Sequence, residues 1–179
     1  MTGVQTCALP IYGHVAQAAI SPDGKYILQA LEEKGLQSLW LRHIPTGSNT
    51  VVVQPAATRY AGLTFSPDGN YIYFVRRDER EEAYALLYSA PVLGGTPRLL
   101  IKDVDSPITF SPDGQHFAFV RIRHNEPTCD LLMAKPDGTI ERPIFSQVSI
   151  KTDSLVPAWS PDGETVVIPI AQPDRKSVV

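Results

Sequence analysis

An all-β fold, assembled from a repeated unit of four short antiparallel strands, is the class this sequence predicts, and three observations predict it. The tetrapeptide Ser-Pro-Asp-Gly begins at Ser21, Ser66, Ser111 and Ser160, at intervals of 45, 45 and 49 residues. Each copy is followed by an apolar run: KYILQA, NYIYFV, QHFAFV and ETVVIP. Sixteen prolines and twelve glycines are spread along the 179 residues, a pattern of many turns and few helices. Four strands in about 45 residues, repeated, make the unit of a β-propeller blade, which must be stacked on neighbours to cover both of its apolar faces. The expected architecture is therefore a partial, open β-propeller of four-stranded antiparallel blades, three complete and part of a fourth. The expected boundaries are residues 12–57, 58–103, 104–149 and, incomplete, 150–173.

The turn is the first element of each unit. Its four copies are Ser21, Pro22, Asp23, Gly24; Ser66, Pro67, Asp68, Gly69; Ser111, Pro112, Asp113, Gly114; and Ser160, Pro161, Asp162, Gly163. Proline presets φ for the second position of a type I turn, aspartate suits the third, and glycine accepts the left-handed conformation that follows. The expectation is a three-residue hairpin loop with a glycine bulge. An apolar residue precedes each serine: Ile20, Phe65, Phe110 and Trp159.

The strand after each turn carries Ile27, Ile72, Phe117 and Val166 at the third position past the glycine, the period of one buried face. The next residues, Leu28, Tyr73, Ala118 and Val167, are also apolar, so both faces should be covered. The aromatic residues Trp40, Tyr71, Tyr73, Phe74, Phe117, Phe119 and Trp159 are expected in the core. A second turn follows in IPTGS, PVLGGT and AKPDGT, around Gly47, Gly95 and Gly138, flanked by the third and fourth strands of each unit. The third unit drifts. Arg121–Asp130 reads as a long hairpin connection, and Ser146–Leu155 accounts for the longer interval.

The ends break the pattern. Thr2–Ile11 and Asp174–Val179 resemble translated sequencing-library adapters, so residues 1–11 and 174–179 are expected to be non-native, leaving 12–173 as the propeller segment. A formal charge of -3 and a pI near 5.8 provide no basic field for nucleic acid or an anionic membrane. No apolar stretch reaches the roughly 20 residues of a membrane span, so this segment itself is expected to make no membrane contact. Cys7 and Cys129 are too few for a disulfide framework.

Chemistry is thinly represented. His14, His43, His116 and His124 share no metal-ligand spacing, and no metal, cofactor or catalytic residue is expected. The repeat aspartates are accounted for by their turns, and Arg76–Ala83 reads as a solvated loop of mixed charge. Arg121 and Arg123 fall on one side of a strand end near His124, the place where a ligand contact is first expected.

The stretch TFSPDGNYIYFVRRD, followed by LYSAPVLGGTPRLL, resembles the WD-repeat-like propeller repeat of the TolB type, over residues 12–173. LWLRHIPTGSNTVVV, RYAGLTFSPDGNYIYFV and DSPITFSPDGQHFAFVR are similar in particular to the C-terminal propeller of bacterial eukaryote-like serine/threonine kinases. That resemblance implies an extracytoplasmic propeller behind a kinase domain and a membrane helix. It also implies a binding or sensory scaffold whose partners are a protein or small ligand and the missing blades of the same parent chain. The chain itself contains neither the kinase motifs nor the Gly-x-Ser-x-Gly of a peptidase. Two alternatives share the repeat: the gating propeller of a prolyl oligopeptidase or dipeptidyl peptidase, and a stand-alone TolB-like periplasmic protein. An open stack leaves two apolar end faces, so residues 12–173 alone are expected to self-associate or dissolve poorly.

Overall fold

A computed structural model describes residues 13–78, 84–123, 128–148 and 155–169. Both adapter-like ends lie outside the described residues. Among those described, every regular element is a strand. The first sheet contains β1 (His14–Ile20), β2 (Tyr26–Glu33), β3 (Leu36–His43) and β4 (Asn49–Ala56). The second contains β5 (Thr58–Phe65), β6 (Tyr71–Asp78), β7 (Leu86–Pro91) and β8 (Arg98–Lys102). The third contains β9 (Thr109–Phe110), β10 (Phe117–Arg123), β11 (Thr128–Ala134) and β12 (Ile140–Val148). A two-stranded sheet follows, β13 (Ala158–Trp159) and β14 (Val166–Val167). Each sheet is an antiparallel meander in chain order. This is an open, partial β-propeller.

Alternation along one strand decides what each sheet packs on. In β6, Ile72 and Phe74 join the cluster shared with the first sheet, while Tyr73 and Val75 join the one shared with the third, all 4% exposed or less. β10 repeats the arrangement: Phe117 and Phe119 face the second sheet, and Ala118 and Val120 face Trp159 and Val166 of the fourth. The end sheets show the converse. Ile20 is 62% exposed where its counterpart Phe65 is 6%, and Val167 is 59% exposed where Tyr73 is 4%. Among the described residues no further sheet packs on these outer faces.

Polar bonds latch each junction. Gln17 Nε2 donates to Tyr60 O (2.9 Å), Tyr60 N donates to Gln37 Oε1 (3.0 Å), and Arg59 pairs with Glu32, joining the first and second sheets. Between the second and third, Arg77 pairs with the buried carboxylate of Asp105 at 3.4 Å, and Tyr73 OH donates to Pro136 O at 3.1 Å. Trp159 Nε1 donates to Thr109 O (3.1 Å) at the third junction.

Two charged segments are strand where a connection was expected. Arg121–Arg123 and Thr128–Asp130 are paired strand, so the long connection read over Arg121–Asp130 contracts to residues 124–127. Likewise Arg76–Asp78 belong to β6 rather than to a loop. Both segments are rich in charged residues, Arg76, Arg77 and Asp78 in one and Arg121, Arg123 and Asp130 in the other, which hid the cross-strand pairing.

Candidate functional site

Residues of the four repeat turns build one end of the stack, and their geometry is the same in each. Gly24 N donates to Ser21 O (2.9 Å), and Ser21 Oγ donates to Asp23 Oδ1 (2.6 Å). The same carboxylate oxygen accepts from Lys25 N (3.0 Å), while Tyr26 N donates to Ser21 Oγ at 2.9 Å. The connection therefore spans Pro22–Lys25, one residue more than the expected three-residue loop. The serine hydroxyl, acting as a surrogate carbonyl, closes the ladder. Ser66–Tyr71, Ser111–His116 and Ser160–Thr165 repeat the network. Gly24, Gly69, Gly114 and Gly163 have φ between 70° and 75°, a left-handed conformation that costs glycine little.

Hydrogen bonds to the ionised form hold the four carboxyls low. Asp23 is lowered to about 2, by Ser21 Oγ first and then the Lys25 amide. Asp68, Asp113 and Asp162 are lowered for the same reason, each by its serine first. A folded-state value below the unfolded one confers stability that is present above the ordinary carboxylate range and lost as pH falls through it toward 2. Thermal melts between pH 6 and 2 are expected to show declining stability below about pH 4. Asp68→Asn should make that decline shallower while leaving the neutral-pH melt the less stable of the two; an unchanged acid slope would refute the carboxylate's role.

Successive turns touch. A Cβ on Gly114 would lie 3.3 Å from Pro67 Cγ, and one on Gly163 would lie 3.5 Å from Pro112 Cδ. The second turns sit at the same end, since Ile44 N donates to Lys25 O (2.7 Å) and Val92 N donates to Asn70 O (2.9 Å). Between these turns open two grooves. One, of about 700 Å³, lies between the first and second sheets and is lined by Tyr26, Tyr71, Leu93 and three prolines. The other, of about 470 Å³, lies between the second and third and includes Tyr73, Arg98, Asp113 and Asp137. Burial pushes the Tyr73 phenol up to about 12, so it remains the donor to Pro136 O.

The arginine pair is built into the scaffold. Arg121 donates from Nε to Asp103 O (2.9 Å) and from Nη2 to Lys102 O (3.0 Å), bracing the third sheet on the second. Arg123 Nε donates to Asp130 Oδ2 (2.8 Å), and Ser146 Oγ donates to the other oxygen at 2.6 Å. The structure thus brings the two arginines to separate intramolecular partners. His124 lies outside the described residues. Arg76 forms a two-pronged pair with Asp78, at 2.6 and 2.9 Å. Among the described residues no cluster of three or more His, Cys, Asp or Glu side chains could hold a metal. Cys129 is buried, which raises its thiol pKa.

Sequence reasoning missed the groove. Tyr71 was expected in the core and is 45% exposed, because it stands at the turn, one position before the strand is covered. A usable signal existed: Tyr26 and Tyr71 occupy the same place in consecutive repeats, two residues past the turn glycine.

No protein-family model and no curated protein matches the chain. Solved structures do. Putative TolB from Agrobacterium tumefaciens superposes with a TM-score of 0.67 at 23% identity, over 93% of this chain and 61% of that one. TolB from Acinetobacter baumannii gives 0.64 at 20%, over 87% of this chain and 37% of that one. The β-propeller domain of the Trilobed protease from Pyrococcus furiosus, described as having an open velcro topology, gives 0.67 at 10%, over 93% and 51%. The chain thus spans less than two thirds of each of these. At such identities the likeness establishes the fold.

Proposed function

We propose that this chain is a non-catalytic propeller segment that serves as a protein- or ligand-binding scaffold in a larger bacterial protein. The parent is read as a receptor-like serine/threonine kinase with the propeller on the extracytoplasmic side. One observation carries the scaffold reading: the charged and hydroxyl side chains of the repeat turns and of Arg121 and Arg123 are engaged in hydrogen bonds within the chain, whereas open grooves remain between the sheets. The kinase parentage is supported by the sequence resemblance of the stretches around Gly47 and around the repeat turns at Ser66 and Ser111.

A second reading, the gating propeller of a serine peptidase, is favoured by the likeness to prolyl oligopeptidase B from Galerina marginata, with a TM-score of 0.60 over 87% of this chain. A stand-alone TolB-like protein is the third. The flanking coding sequence separates them. An upstream kinase domain and membrane helix is the expected result; a downstream Gly-x-Ser-x-Gly domain, or a signal peptide alone, would overturn the kinase parentage.

A further inference from the structure

We propose that the groove between the first and second sheets binds a proline-rich, basic peptide segment in the extended polyproline conformation. The inference rests on the scaffold reading and names the partner class of one site within it. Three features of the groove carry it.

Its surface is apolar in relief. Pro22 and Tyr26 come from the first turn, Pro67 and Tyr71 from the second, and Pro91 and Leu93 from the neighbouring turn of the second sheet. Leu93 is 91% exposed and Tyr71 45%, so the groove presents an aromatic and aliphatic surface to water. Ridges of this kind accept a polyproline helix, whose side chains recur every three residues, roughly 9 Å apart, and which is ordered before it binds.

The walls are preorganised. Val92 N donates to Asn70 O (2.9 Å) and Gly94 N donates to Pro91 O (3.2 Å), which holds Leu93 outward. The ligand then orders little of the protein on binding, which preserves affinity.

The charge is one-sided. Asp23 is paired with Lys25 at 3.2 Å, but the Asp68 carboxylate is met by a serine hydroxyl, the Asn70 amide N–H and the Asn70 side-chain amide at 2.8 Å. Among the described residues no cation pairs with Asp68. An arginine or lysine beside the prolines of the ligand would complement that charge and reach the Tyr71 ring.

The test uses the full 179-residue chain and the heptapeptide acetyl-Pro-Pro-Arg-Pro-Pro-Lys-Pro-amide, followed by amide chemical-shift changes. Shifts are expected at residues 22–26, 67–71 and 91–94, with affinity falling as salt rises. Tyr71→Ala and Leu93→Ser should each weaken binding at least about fivefold while leaving the melting temperature near that of the parent, since both side chains are exposed. A peptide with glutamate in place of both basic residues should bind about tenfold more weakly or not at all. Absence of binding, equal binding of the glutamate peptide, or an unchanged affinity in Tyr71→Ala would overturn the proposal. The scaffold's parentage is decided by the flanking coding sequence, so the two readings fail separately.

Discussion

Replacing Phe117 with alanine is expected to cost about 3–5 kcal/mol of stability, the range for deleting a fully buried phenylalanine ring. Phe117 is 0% exposed and sits where the second and third sheets meet. Its ring centroid lies 5.6 Å from that of Phe110, 6.1 Å from Tyr73 and 6.2 Å from Phe119. Removing it leaves a void bounded by three rings that cannot collapse without moving a backbone. Because a domain of this size is held together by about 5–15 kcal/mol, the loss is a large share of the whole. Urea unfolding followed by circular dichroism reads it directly. Phe117→Leu, which retains most of the volume, should cost about 1 kcal/mol. A loss below about 1 kcal/mol for the alanine variant would mean that the junction is not a packed core.

Gly62→Val is the second large effect, and it comes from overcrowding. A Cβ on Gly62 would lie 2.7 Å from Pro107 Cα and 2.8 Å from Pro107 Cβ. Neither atom belongs to a flexible side chain, so either β5 or the backbone at Pro107 must shift. Gly62 stands beside a bulge in β5, in register with Val75, where β5 passes the segment that leads into β9. The expected cost is about 3 kcal/mol, at the upper end for overpacking. Gly24→Ala is the control: its Cβ would meet nothing within 4 Å, and only its φ of 70° is unfavourable, for a cost of about 1 kcal/mol. Unfolding midpoints for the two variants should differ clearly. If Gly24→Ala proved the more damaging, the close approach of β5 to Pro107 would be wrong.

These two residues illustrate how unevenly the molecule can be read from its letters. Phe117 was identifiable as core because an apolar residue recurs at the third place past each turn glycine and its strand opens with an unbroken apolar run. Gly62 was not, since a glycine within a strand has many explanations and its partner is 45 positions away. The turns lie between these cases. Proline, aspartate and glycine announce a bend, but the part played by serine, whose hydroxyl substitutes for a backbone carbonyl, appears only when the amide of Tyr26 is seen to reach it. The arginines are a similar case: charge near a strand end carries no record of the carbonyls at 102 and 103 that Arg121 bonds, or of the Asp130 carboxylate that Arg123 meets.

What the sequence determined by itself is whatever ten or so consecutive residues can specify: the position of each bend and the apolar strand beyond it, and hence, from their recurrence every 45 to 49 residues, an all-β stack. The tertiary structure decided which face of each sheet is covered, which charged groups are consumed in bracing one sheet on the next, and where a groove stays open. The physical reason is range. Backbone preference and side-chain period act between near neighbours, whereas burial and ion pairing depend on residues one repeat away, brought together only once the sheets have stacked.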